Sequence, residues 1–341
     1  GVSEMSDFGL QVFTPSGKAL NVADASPLQF IRKIPRSEVS FTTGASTTFD
    51  FTSQVPAGVQ IVVWTDFAAV IIDSPIYLDY RVMPVNIAVA DRKVTISVPG
   101  YGTGNWGPRE TPTGFWIFAV YPQPVTSDGW GLYVDAGGAF PAVVNSAAGL
   151  FMTAQYSITF TGRYSLNCSE NAMVFCHCND DGIGLYFDRN TRQIIGYKPA
   201  GKQWGTVGGF SVPLKICVFD VKTPTIPDWG LMIYGADGGV SFTSQEVPLV
   251  IRQWASLPSA VGNWTTFTAP ASTPMIPVAS MGAKTIDRSY IWKVNLAMNS
   301  QHIGYGPGAL LMQVGDNILT EQEQIPYKGK TVPVIWGSDY F

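Results

Sequence analysis

The sequence predicts an all-β protein built as three tandem β-sandwich modules of immunoglobulin-like size, related by an internal repeat. Three observations predict it. First, an opening phrase recurs at Asp7-Phe8-Gly9-Leu10, Asp128-Gly129-Trp130-Gly131-Leu132 and Asp228-Trp229-Gly230-Leu231, and self-similarity at such spacing marks a string of related units. Second, the apolar runs are short, rich in β-branched and aromatic residues, and punctuated by 35 Gly and 24 Pro among 341 residues, which favours strands over helices. Third, only 13% of residues are charged while 46% are apolar. That is about half the usual charged fraction, as in β-proteins whose surfaces are neutral or covered by other subunits.

Each module is read as the same series of elements. The opening strand meets a turn at Pro15-Ser16-Gly17, Ala136-Gly137-Gly138 or Ala236-Asp237-Gly238, the pattern of a hairpin. A second apolar run follows at Leu28-Gln29-Phe30-Ile31, Leu150-Phe151-Met152 and Val247-Pro248-Leu249-Val250-Ile251, and a third run at 59–64, 172–176 and 274–278. Closing strands are expected at 115–120, 214–219 and 332–336. Residues 87–98 read as two strands about an Asp91-Arg92 turn. The modules are expected at 1–122, 128–222 and 228–341, each of roughly 100 residues and so able to bury a core of its own. Between them lie Pro122-Gln123-Pro124 and Pro224-Thr225-Ile226-Pro227, stiff connectors because proline fixes φ and cannot donate to a sheet ladder.

Composition narrows the partners. A net charge of −4 and the lack of a basic stripe argue against nucleic acid. No apolar run is long enough to span a bilayer, and Gly1-Val2-Ser3-Glu4-Met5-Ser6-Asp7 does not read as a signal peptide, so synthesis in a cytoplasm is expected.

Chemistry-bearing residues are sparse. Cys168, Cys176, Cys178 and Cys217 fall in the second module, with His177 between two of them. On a strand Cys176 and Cys178 share one face and His177 takes the other, a poor start for a tetrahedral metal site. Buried free thiols and no metal are therefore expected, with a Cys168 to Cys176 bridge left open. Asn179-Asp180-Asp181-Gly182 is first a turn sequence. His302 sits beside no nucleophile pattern, and no serine elbow, zinc helix or phosphate loop is present. No enzyme activity and no cofactor are expected. Tyr101 and Trp106, in Gly100-Tyr101-Gly102-Thr103-Gly104-Asn105-Trp106-Gly107, Trp204 in Lys202-Gln203-Trp204-Gly205, and Tyr305 in Gly304-Tyr305-Gly306 are the candidate binding residues. They are read as equivalent aromatic loop tips that supply contact area at low entropic cost. The competing reading of Trp106 is a lid over its own module.

The opening Asp7-Phe8-Gly9-Leu10-Gln11-Val12-Phe13-Thr14-Pro15-Ser16-Gly17 resembles the start of small tail-tip and fibre-associated minor tail proteins of long-tailed bacteriophages. The resemblance is strongest over some thirty residues per copy. It implies a virion structural protein of the tail tip, baseplate or fibre, synthesised in the host bacterial cytoplasm. Other tail proteins, and a host-surface glycan or protein receptor, would be its partners, and a homotrimer would suit a fibre. The alternatives are a carbohydrate-binding or depolymerase tail protein and a capsid decoration protein. The closing Trp336-Gly337-Ser338-Asp339-Tyr340-Phe341 reads equally as a last core strand or as an anchor for a neighbour.

Overall fold

The computed structural model describes residues 11–13, 19–21, 26–74, 79–102, 106–120, 148–201, 203–222, 224–226, 228, 232–234, 240–266, 273–300, 302–313 and 323–341. The opening phrases at Asp7 and Asp128, most of the one at Asp228, and the first connector lie outside them.

In the first segment the second, third and closing apolar runs become β1 (Ser26–Pro35), β2 (Gln60–Thr65) and, after the hairpin β3 (Asn86–Ala90) and β4 (Lys93–Ser97), β5 (Gly114–Val120). The second segment supplies β6 (Ala148–Phe160), β7 (Met173–Cys178), β8 (Gly184–Asp188), β9 (Gln193–Ala200), β10 (Gln203–Val207) and β11 (Val212–Val221). The last supplies β12 (Gln253–Ser256), β13 (Pro274–Pro277), β14 (Ser280–Ile286), β15 (Tyr290–Asn299), β16 (His302–Gln313) and β17 (Thr331–Trp336). Helix among the described residues is confined to a 3-10 turn at Arg36–Glu38 and a four-residue α1 (Gly337–Tyr340). The all-β class holds.

Among the sheets of the described strands, one runs through all three segments, in the order β12-β17-β13-β7-β11-β6-β1-β5-β2. Within each segment the closing strand lies between the other two: β5 between β1 and β2, β11 between β6 and β7, β17 between β12 and β13. A unit of three strands leaves two ladders of unpaired backbone groups, and an exposed edge invites pairing. Here edges pair with the next unit, through Phe175↔Pro277 and Cys176↔Ile276 on one side and Ala148↔Phe30 and Gly149↔Gln29 on the other. The starts of the second runs meet as a triangle. β1 pairs Val250↔Pro27 and Ile251↔Ser26, while the Leu249 N–H donates to Leu150 O at 2.8 Å and the Met152 N–H to Val247 O at 2.7 Å. Beside the last strand, the Tyr327 hydroxyl donates to Val63 O of β2 at 3.2 Å with its ring against Trp64.

A second sheet, of nine strands, is shared by the last two segments and joins them at Leu185↔Leu296. Beneath the sheets lies a common core with Trp64, Trp116 and Phe118 from the first segment, Phe175 and Phe219 from the second, and Leu249, Ile335 and Tyr340 from the last. The first segment also keeps a core of its own around Ile34, Phe51, Val63, Ile96, Phe115 and Ile117. Strand β5 explains its continuous apolar sequence by lying between the two. Side chains alternate on a strand, so Trp116, Phe118 and Val120 enter the common core while Phe115, Ile117 and Ala119 enter the private one.

The Asp91-Arg92 turn is present as read, with φ of 48° and 61° and Ala90 paired to Lys93. Positive φ at both central residues matches the turn to the strand twist.

Tyr340 decides how the last residues act. It is 0% exposed, accepts the Val250 N–H at 3.0 Å, donates to Pro248 O at 3.2 Å and meets Phe219 edge-on at 5.1 Å. Arg252 Nε donates to Asp339 Oδ2 at 2.8 Å beside it. The last turn is therefore core. Tyr340→Ala is expected to destabilise the fold by about 3–5 kcal/mol, and deletion of 338–341 to unfold it, as read by urea denaturation.

Candidate functional site

Tyr101 and Trp106 come together. Their rings meet edge-on at 5.0 Å, both half-buried against the first segment's own core. Arg81 Nε donates to the Tyr101 hydroxyl at 2.6 Å, with the guanidinium 5.6 Å from the ring. Trp106 thus covers its own unit while keeping one partly open face. Trp204 is half-buried on β10, with the Lys284 ammonium 3.9 Å from its ring. Tyr305 is 5% exposed within β16, and its hydroxyl donates to Pro258 O at 3.0 Å.

The loop-tip placement expected for Trp204 and Tyr305 therefore does not hold. Both are strand residues of the nine-stranded sheet, and Tyr305 is core. The glycines around them permit backbone contact, not a flexible loop: a Cβ on Gly205 would lie 1.9 Å from Gly308 O, and one on Gly184 1.9 Å from Pro307 O.

The cysteine strand alternates as its sequence requires. Cys176 and Cys178 are buried and His177 lies half-buried on the other face, its Nδ1 2.8 Å from Pro274 O and its cross-strand partner Lys215. Cys217 Sγ lies 3.8 Å from Met275 Sδ. All four cysteines are free thiols, Cys168 half-buried. Burial pushes Cys178 and Cys168 up to about 11 and Cys176 and Cys217 further, so they stay protonated. Among the described residues no three His, Cys, Asp or Glu side chains gather as metal ligands. Asp180 builds its turn, accepting the Gly182 N–H at 2.9 Å and pairing with Lys198 at 2.9 Å. His302 is exposed at the start of β16. Among the described residues no helix is long and apolar enough to cross a membrane.

The densest chemistry lies where the three segments meet, and sequence reading missed it. Asp66, just after β2 and 3% exposed, accepts the Thr113 N–H at 3.0 Å and the Thr113 hydroxyl at 2.7 Å. Arg189, just after β8 and 6% exposed, donates to Glu170 O at 2.7 Å and Ala172 O at 2.8 Å. Its guanidinium lies 3.8 Å from the Trp116 ring centre. Burial lowers it to about 10, against the pull of Asp66. Lys293 of β15 sits between Phe67 at 5.0 Å and Tyr186 at 4.4 Å, and burial lowers its pKa as well. The Asp66 carboxylate is thus held within its own segment, while Arg189 of the second meets a ring of the first and the half-buried Lys293 of the last meets rings of the other two. Cation–π contacts strengthen when desolvated, so this geometry holds segments together. A trace existed in the sequence: Asp-Arg recurs at 91–92, 188–189 and 287–288. The outer two pairs are hairpin turns with positive φ, whereas Arg189 turns inward.

A family model matches residues 9–316, described as a family of unknown function (DUF6453). The chain belongs to this DUF6453 family. No match to it was found among curated proteins or among solved structures. The match runs across all three segments of this DUF6453 member, as the shared sheet does.

Gly205→Ala is expected to cost about 1–3 kcal/mol or more, because a backbone carbonyl cannot yield as a side chain can; thermal unfolding reads it. His177 supplies a pH dependence. Burial lowers its pKa from 6.5, so as pH falls below 6.5 the unfolded chain takes up the proton first. Stability is then lost down to the folded value and levels off below it. His177→Gln should remove that part of the slope between mildly alkaline and mildly acidic buffer, measured by urea midpoints.

Proposed function

We propose that the chain is a structural subunit of a bacteriophage tail, at the tip, the baseplate or the fibre attachment, and that it works by protein-protein binding. The observation that carries this reading is the Asp-aromatic-Gly-Leu opening at Asp7 and its recurrences at Asp128 and Asp228, with its resemblance to minor tail proteins. Two features support it. The three segments are tied by one sheet and one core into a body suited to bearing load, and the low charge suits a surface covered by neighbours. Its partners would be other tail proteins and a host-surface glycan or protein, and a homotrimer would fit a fibre position. The virion tail is its place, after synthesis in the host bacterial cytoplasm.

One observation favours sugar recognition as a second reading: the half-buried Tyr101 and Trp106 pair, held in fixed geometry by Arg81. Rigid aromatic faces bind sugar rings at low entropic cost. Antibody labelling of purified particles of the phage that carries the gene separates the main possibilities. Label at the tail tip is the expected result, label over the head shell would favour a capsid decoration protein, and unlabelled particles would sink the virion reading. In the same particles Trp106→Ala is expected to leave assembly intact and to reduce glycan attachment at least about tenfold if the pair contacts a sugar, since one stacked aromatic contributes on the order of 1–3 kcal/mol.

A further inference from the structure

The triangle formed by the three second runs is cyclic. β1 pairs Gln29 and Phe30 with Gly149 and Ala148 at the start of β6. The next residues of β6 pair with the last segment: Phe151 bridges Pro248, the Leu249 N–H donates to Leu150 O at 2.8 Å and the Met152 N–H to Val247 O at 2.7 Å. The last segment closes the circuit by setting Val250 and Ile251 on Pro27 and Ser26, the first residues of β1. In every segment the earlier residues of the run face the preceding unit and the later ones face the following unit, the first unit following the third. All three contacts are antiparallel. That is the pattern of a three-subunit ring with head-to-tail interfaces, made here within one chain.

The likeness extends into each unit. In all three the closing strand lies antiparallel between the second and third runs: Phe118 faces Phe30 and Val62, and Val218 faces Ala154 and Val174. In the last unit Val334 faces Gln253 while its neighbour Ile335 faces Met275. In sequence, the repeated opening phrase stands before each of the second runs. Three like units therefore stand in cyclic order about one axis. The ladder groups that a second copy of the chain would need there are already used within the triangle.

We propose that the chain docks along this axis on a homotrimeric protein, one copy to one trimer, each segment meeting one subunit of the partner. A homotrimer presents three identical patches about its own axis, and three like units in cyclic order can meet all of them at once. Contacts too weak singly are then reinforced, since the second and third form at the effective concentration set by the first. The first segment's private core, and the second sheet shared by the other two, break the likeness away from the triangle, so the matched surface is the one at the triangle end. The proposal rests on the tail reading and gives the threefold symmetry to the partner, because a homotrimer of this chain would repeat a ring that is already closed.

Two measurements on the full chain test this. The purified protein is expected to run in solution at the monomer mass of 36.9 kDa, and a stable dimer or trimer would overturn the proposal. In purified particles of the phage that carries the gene, lysine-directed cross-linking read by mass spectrometry is expected to join Lys93, Lys198 and Lys328, one from each segment, to a single protein present at three copies for each copy of this chain. Cross-links from the three segments to different proteins, or equal copy numbers, would overturn the docking while leaving the tail reading in place. Particles that lack the chain would instead sink the tail reading itself, and this proposal with it.

Discussion

The structure depends on edge pairing. A three-strand unit has an apolar face to bury and two open ladders to satisfy, and in this chain the remedy for each unit is the next one. β6 takes the open side of β1, β13 takes that of β7, and the short Val250–Ile251 strand adds to β1 at the point where the three second runs converge. The common core follows from that arrangement, because a continuous sheet presents a continuous apolar face. Trp116 and Phe118 fill the same interior as Phe175, Phe219 and Tyr340.

Within this frame the buried charges become intelligible. Asp66, Arg189 and Lys293 sit where segments abut, and each is held by backbone carbonyls, hydroxyls or ring faces rather than by a close oppositely charged partner. An apolar contact is tolerant of sliding, whereas a guanidinium centred on an indole with two carbonyls in line is not. Such groups cost stability relative to a purely apolar seam, and what they add is register.

Most of the strands were legible because their signal is local. The runs at 28–31, 59–64, 115–120, 150–152, 172–176, 214–219, 274–278 and 332–336 are apolar, short and bounded by turn residues, and all lie in or beside strands of the long sheet. The alternation of Cys176, His177 and Cys178 followed from strand geometry alone. What could not be read was which edge meets which, since a backbone ladder leaves no mark on the sequence. Gly304-Tyr305-Gly306-Pro307-Gly308 misled for a physical reason: glycine marks a turn and a place of close backbone approach equally well, and only the Gly205 and Gly184 contacts distinguish them. Arg189 went unread, because an Asp-Arg pair does not reveal whether its arginine turns outward or inward.

The pairing of β1 with Val250 and Ile251 has a consequence for biosynthesis. A ribosome releases the chain from its first residue onward, so β1 emerges long before the short strand that completes the triangle around it. Contacts so distant in sequence are slow to form, and an unfinished edge is hazardous in the interval. The private core of the first segment, packed around Phe51, Ile96 and Phe115, offers the nascent chain a place to settle while it waits, with β5 already half-seated and its Trp116 face still open to whatever is translated next.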